Sequence, residues 1–128
     1  MPRPETQNGK YMYCIIRSSE PAQFSTLGIG ERGDVVHTVN IMGLAAVVSD
    51  SPIMDYEESR RNMMAHTLVL EEVMRQFNIL PVRFGTIATS AEAILEQVLK
   101  RRYRELLSHL EEVRDRVELG LKAFWYEE

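Results

Sequence analysis

A single cysteine stands among 128 residues. Cys14 therefore has no partner for an internal disulfide, and that usage fits a reducing compartment. Long hydrophobic runs are missing too. No stretch approaches the roughly 18 apolar residues that a membrane-spanning helix needs, so none is expected. The first nine residues, Met-Pro-Arg-Pro-Glu-Thr-Gln-Asn-Gly, lack the apolar core of a signal peptide. Positive charge is not in excess. Fifteen Lys and Arg face 19 Asp and Glu, for a net charge of −4. That balance weighs against a general nucleic-acid binder. The expectation is a cytoplasmic protein with neither nucleic acid nor membrane as a partner. Metal-ligand spacing is absent as well. His37, His66 and His109 fall in one expected strand and two different expected helices, with no H-E-x-x-H or Cys/His pattern. No set of titratable groups converges in the sequence, so no enzyme activity, cofactor or metal is expected.

What is present describes one ordinary domain. Apolar residues make up 45% and charged residues 27%, as in globular proteins generally. A chain of this length buries roughly two-thirds of its unfolded surface. The organising stretch is Ile79 to Ser90, between two long helical patterns. Ile79 to Phe84 reads as a short strand, with Val82 and Phe84 on one face and Arg83 on the other. Pro81 places it near a sheet edge. Gly85 ends it, and Thr89 with Glu92 makes a capping-box start for the next helix.

Ahead of that stretch, residues 1–9 read as a loose tail. Tyr11 to Arg17 reads as a central strand, with Tyr11, Tyr13 and Ile15 on one face and Met12, Cys14 and Ile16 on the other. Ser18 to Gly33 reads as a long loop with a helical turn near Pro21 to Phe24. Val35 to Ile41 and Leu44 to Ser49, joined by Met42-Gly43, read as a hairpin. From Asp55 to Phe77 the period becomes helical. Met63, Thr67, Leu70, Met74 and Phe77 form the expected buried stripe, widened by Met64, Leu68 and Val73. Glu71 and Arg75 are spaced to pair, and Asn78 is the expected left-handed stop.

A second helix is expected from Ser90 to Val113, with Ile94, Leu95, Val98, Leu99, Leu106, Leu110 and Val113 on its apolar side. Arg116 to Tyr126 alternates as a last strand, which leaves Phe124 and Tyr126 facing away from the helices. The order of elements suggests an α+β, ferredoxin-like sandwich: one mixed β-sheet of about five strands with both long helices on one face. The reverse face would then be partly open.

Several motifs have plain structural readings. Gly28-Ile29-Gly30-Glu31-Arg32-Gly33 matches G-x-G-x-x-G, but a loop precedes it and a strand follows. It reads as a tight approach to that strand rather than a dinucleotide site. Cys14, mid-strand among apolar neighbours, reads as an inert thiol. His66 reads as a half-buried, hydrogen-bonded residue. Lys100-Arg101-Arg102-Tyr103-Arg104 is flanked by glutamates and reads as a salt-bridged face. The seven methionines read mostly as core filler, and a Met-rich contact surface is the lesser reading.

The chain also resembles the GvpF/GvpL family of gas vesicle proteins. The resemblance is carried by Tyr11-Met12-Tyr13-Cys14-Ile15-Ile16, the Gly28 to Asp34 block, Leu44-Ala45-Ala46-Val47-Val48-Ser49 and Asn62-Met63-Met64-Ala65-His66. Leu80-Pro81-Val82-Arg83-Phe84-Gly85-Thr86 and Val117 to Trp125 complete it. It implies a non-enzymatic accessory protein in gas vesicle assembly, located with the vesicle. Its implied partners are the hydrophobic shell protein GvpA and other vesicle accessory proteins. It implies further that residues 1–128 form a single α+β domain, the N-terminal half of a longer protein whose other half packs on it. The expected partner contacts are Arg83, Phe124 and Tyr126. The competing reading is a small-molecule-binding regulatory domain of ferredoxin-like fold.

Overall fold

The structure, a computed structural model, describes residues 8–125, with side chains as far as Arg114. Four strands come first: β1 (Asn8–Arg17), β2 (Gln23–Leu27), β3 (Val35–Ile41) and β4 (Leu44–Pro52). Helix α1 (Arg60–Met74) precedes two short strands, β5 (Leu80–Pro81) and β6 (Ile87–Ala88). A helical turn, α2 (Ala91–Ala93), continues as a π-helical segment over Ile94–Lys100, and α3 (Tyr103–Trp125) follows.

The sheet order is β2-β3-β4-β1-β5, with β6 also paired to β1. Every described pairing is antiparallel, so the expected mixed sheet is not found. The strand expected over Ile79 to Phe84 is split. Leu80 and Pro81 pair with Ile15 and Cys14, and Ile87 and Ala88 pair with Tyr11 and Lys10. The Val82 N–H donates to the Tyr13 carbonyl at 2.9 Å, and the Thr86 carbonyl accepts from the Met12 N–H at 3.0 Å. Only Arg83 to Gly85 thus loops away from β1, with Gly85 at φ +89°.

The split meets an irregularity in β1. The register between β1 and β4 shifts between Met12 and Cys14, which is a β-bulge at Tyr13. A bulge adds one residue and reverses the alternation beyond it. Tyr11, Tyr13, Cys14 and Ile16 therefore share one face, while Met12 and Ile15 share the other. The expected split of these six residues fails for that reason.

Both faces of the sheet are covered. Ala45 and Val47 pack with Val69 and Val73 of α1. Leu44, Ala46 and Val48 pack with Ile94 and Leu99 of the π-helical segment and with Leu106 and Leu110 of α3. The helices thus lie on opposite faces, which corrects the expectation of a ferredoxin-like layering with both on one side. The physical reason lies in β1 and β4. Neither strand has a polar face, so each needs apolar cover on both sides.

The hairpin forms as expected. Met42 (φ 49°) and Gly43 (φ 85°) are both left-handed, the backbone of a two-residue type I′ turn. The supposed loop contains β2 instead of a helical turn. Ser59 caps α1, its hydroxyl accepting from the Asn62 N–H at 3.2 Å. Ser90, not Thr89, caps α2, accepting from the Ala93 N–H at 3.0 Å. Asn78 does not adopt a left-handed conformation.

Helix α1 is rotated from its expected setting. His66, Val69 and Val73 are its buried residues, while Met63, Met64 and Leu68 are 41%, 52% and 44% exposed. Apolar residues occur nearly all round this helix, so its pattern fits several orientations. The last strand is replaced as well. Helix α3 reaches Trp125, and Val117, Leu121 and Trp125, spaced four apart, satisfy a helical period as readily as an alternating one. Tyr126 lies outside the described residues.

Candidate functional site

The two borders of the sheet set where contacts can form. Strand β2 forms one border, and α1 closes it. Glu72 of α1 reaches across so that its carboxylate accepts from the Ser25 N–H (2.9 Å), the Ser25 hydroxyl (3.0 Å) and the Thr26 N–H (2.8 Å). Burial opposes its ionisation, but these donors outweigh that and hold its pKa down at about 2. Strands β5 and β6, each two residues long, share the other border along β1. Strand β5 contains exposed Pro81, which has no N–H to offer. Charged caps, proline and short length are the usual means of blocking edge-to-edge pairing.

Beneath α1 lies a hydrogen-bonded aromatic cluster. The Tyr11 hydroxyl accepts from the Gly85 N–H at 3.0 Å and meets His66 Nδ1 at 2.9 Å. The Tyr13 hydroxyl accepts from the Ile29 N–H at 2.9 Å and meets Ser49 Oγ at 2.8 Å. The Tyr56 hydroxyl meets Ser51 Oγ at 2.8 Å. Phe84 completes the set, its ring centroid 5.6 Å from that of His66. Burial pushes the Tyr11 and Tyr13 hydroxyls up and the His66 imidazole down. All three are thus held neutral. In the Tyr11–His66 pair one group donates and the other accepts according to the imidazole tautomer. The cluster fastens the Val82–Thr86 segment and the Gly28–Ile29 turn to the sheet. His66 is hydrogen-bonded as its sequence setting implies, and it is buried rather than half-buried.

On the opposite face, a groove of about 400 Å³ opens beside β5. Met12, Ile15, Leu80, Val82, Val98 and Leu106 line it, with Thr86, Arg102 and His109 at its rim. Val98 comes from the π-helical segment, so the groove lies where regular helical bonding changes. π-type segments often occur at functional positions. The rim charges are already matched. Arg102 holds Glu105 through two hydrogen bonds of 3.1 and 2.9 Å. His109 lies 3.7 Å from Glu105 and 3.5 Å from Glu112. Lys100 pairs with Glu96 at 3.1 Å. Lys100 and Arg102 are thus salt-bridged as their flanking glutamates implied, while exposed Arg101 and Arg104 have no ion pair among the described residues. The groove itself offers apolar contact.

Of the residues expected to touch a partner, Arg83 is exposed. It sits between Val82 and Thr86, and its carbonyl accepts from the Thr86 hydroxyl at 2.8 Å. Phe124 belongs to α3, beyond the described side chains, and Tyr126 lies outside the described residues. The open sheet face expected to carry these two aromatics does not exist, because helices cover both faces. The methionines also differ from expectation: Met42, Met54, Met63 and Met64 are exposed. Glu72 was missed, and nothing in the sequence separates it from Glu71 beside it. Among the described residues no cluster of three or more His, Cys, Asp or Glu is placed to hold a metal. No described helix is long and apolar enough to cross a membrane.

These features define an α+β unit with blunted sheet borders and an apolar groove beside β5. The family described as gas vesicle synthesis protein GvpL/GvpF matches residues 9–128, and the chain belongs to it. It is 40% identical over 119 residues to gas vesicle protein F of a Streptomyces species, covering 92% of this chain and 49% of that one. Gas vesicle protein L1 of Halobacterium salinarum is 30% identical over 125 residues, covering 92% and 44%. The crystal structure of GvpF from Anabaena aligns with a TM-score of 0.69 at 28% identity, over 82% of this chain and 43% of that one. GvpF from Microcystis aeruginosa gives 0.67 at 29% identity, over 81% and 43%. The chain spans about half the length of the curated relatives it matches.

Proposed function

We propose that this chain is a non-enzymatic accessory protein of gas vesicle assembly, acting in the cytoplasm and at the vesicle. Its partners are the hydrophobic shell protein GvpA and other accessory proteins. The observation that carries the reading is the family match across residues 9–128. The chain corresponds on this reading to the N-terminal half of its relatives, and their second half packs on it.

A subunit destined for a gas-facing wall exposes apolar surface before assembly and needs a place to shelter it. The groove beside β5 supports such a role. Its floor is apolar, its rim charges are paired, and burying apolar side chains there is favourable at roughly 25 cal/mol per Å². Arg83 lies on the segment that borders the groove. Arg83, Phe124 and Tyr126 are proposed as contacts around this site. Strand addition at the sheet borders is not part of the reading, because Glu72 and Pro81 blunt them.

Co-purification with GvpA tests this. Val82→Glu and Val98→Glu each place a charge in the groove and are expected to lower GvpA recovery at least tenfold, with the far-ultraviolet circular dichroism unchanged. Phe124→Ala combined with Tyr126→Ala tests the aromatic contacts in the same assay. Recovery equal to that of the parent chain for all of these variants overturns the assignment of the surface. Absence of GvpA binding by the parent chain overturns the partner.

A further inference from the structure

The exposed side of α1 is self-complementary. Arg61, Met64, Leu68 and Glu71 are spaced three, four and three apart, which places them on one line along the helix. All four are exposed, while His66, Val69 and Val73 face the sheet. Met64 and Leu68 form the apolar centre of this line, with Met63 beside them. Basic Arg61 stands at one end and acidic Glu71 at the other.

We propose that this line is the contact between two copies of the chain, packed through antiparallel α1 helices about a twofold axis. With the axis midway between Met64 and Leu68, each Met64 meets the partner's Leu68. Each Arg61 then meets the partner's Glu71. The same patch serves both copies, as twofold symmetry requires. A parallel pairing would set Arg61 against Arg61 and Glu71 against Glu71, and like charges oppose that register. The charges thus select one orientation.

Two further observations favour a second copy. Pairing at the sheet borders is blunted, and Met63, Met64 and Leu68 gather three exposed large apolar side chains on this side of α1. Arg61 is also available. Its one described ion pair, with Glu31 at 3.2 Å, has both side chains largely exposed. Such a pair is screened and weak, so Arg61 can exchange it for Glu71 of a second copy. The 15 residues of α1 extend over roughly 22 Å. A contact of that length falls at the low end of stable interfaces, so association is concentration-dependent. The proposal does not depend on the gas vesicle reading.

Sedimentation equilibrium of the whole chain, from low micromolar to millimolar concentration at low ionic strength, tests the proposal. A monomer–dimer equilibrium is expected. Met64→Glu with Leu68→Glu is expected to abolish it. Arg61→Glu alone and Glu71→Arg alone are each expected to weaken it at least tenfold, because each creates two like-charge contacts. Mixing those two variants restores both opposite-charge contacts, so their mixture is expected to form a heterodimer. All substitutions lie on the exposed side, and thermal melts matching the parent confirm that the fold is intact. A parent chain that stays monomeric throughout overturns the proposal. So does a dimer indifferent to the single charge reversals, or a mixture that fails to associate.

Discussion

Ser49 decides what residue 28 can be. A Cβ built on Gly28 would fall 2.5 Å from Ser49 Oγ and 2.7 Å from Ser49 Cβ, beneath the Tyr13 hydroxyl. Ser49 is fully buried and cannot move aside without breaking its bond to Tyr13. Gly28→Ala is therefore expected to cost about 1–3 kcal/mol, as overpacking of a core does, read as a lower urea midpoint at unchanged m-value. His66 makes a second case. Burial holds its folded pKa below the ordinary 6.5, so the unfolded chain takes up a proton first. Its contribution is complete above that ordinary value and is lost as pH falls through the folded one. Urea midpoints should drop on acidification below about pH 6.5, and His66→Gln should remove that part of the slope. Sequence spacing showed that Gly28 belongs to a tight approach and that His66 sits beside an apolar stripe. It did not show Ser49 or Tyr11 as their partners, because those contacts join residues distant along the chain.

Among the elements, α1 and β2 pack through Phe24 against Val69 and Val73, and one carboxylate supplies the polar tie between them. Glu72→Ala removes the acceptor for the Ser25 and Thr26 amides. It is expected to cost about 1 kcal/mol, the net worth of charged hydrogen bonds discounted for solvent screening. Hydrogen exchange gives the sharper reading. The Ser25 and Thr26 amides should be protected in the parent and should exchange rapidly in the variant, with the β1 and β4 amides little affected. Because the Glu72 pKa is held at about 2, this tether is complete above the ordinary carboxylate range and is released as pH falls toward that value. Equal protection of both amides in parent and variant would show that the carboxylate does not hold the border. Element types up to the hairpin were mostly readable from alternation and turn chemistry. Errors arose where a pattern admitted two answers. Helix α1 carries apolar residues nearly all round, so its pattern alone does not fix the buried side. The region after Val113 alternates and also repeats at helical spacing, so a strand was expected where α3 continues.

For the whole molecule, the decisive fact is that helices occupy both sides of one sheet. Strand composition contained this information, since β1 and β4 lack a polar face. The ferredoxin-like expectation set it aside in favour of a familiar order of elements. The candidate groove was less legible, because it is assembled from β1, β5, the π-helical segment and α3, and no local pattern announces such a meeting. Cys14 reports on this architecture. It lies in the sheet interior between β4 and β5, and burial pushes its thiol up to about 12. A thiol-specific reagent at neutral pH should therefore modify it only when the molecule opens globally. Its labelling rate should fall steeply as denaturant is withdrawn and should rise in Gly28→Ala. Rapid native-state labelling would mean that the strand is reached by local fraying.

The bulge at Tyr13 has an evolutionary corollary. It turns Tyr13 and its neighbour Cys14 to the same side, and with both sides of the sheet covered no member of the run from Tyr11 to Ile16 is wet, so no position in it drifts freely. A randomised library screened for folded product should return those six sites nearly unaltered. Arg17, the next residue and open to water, should accept almost anything.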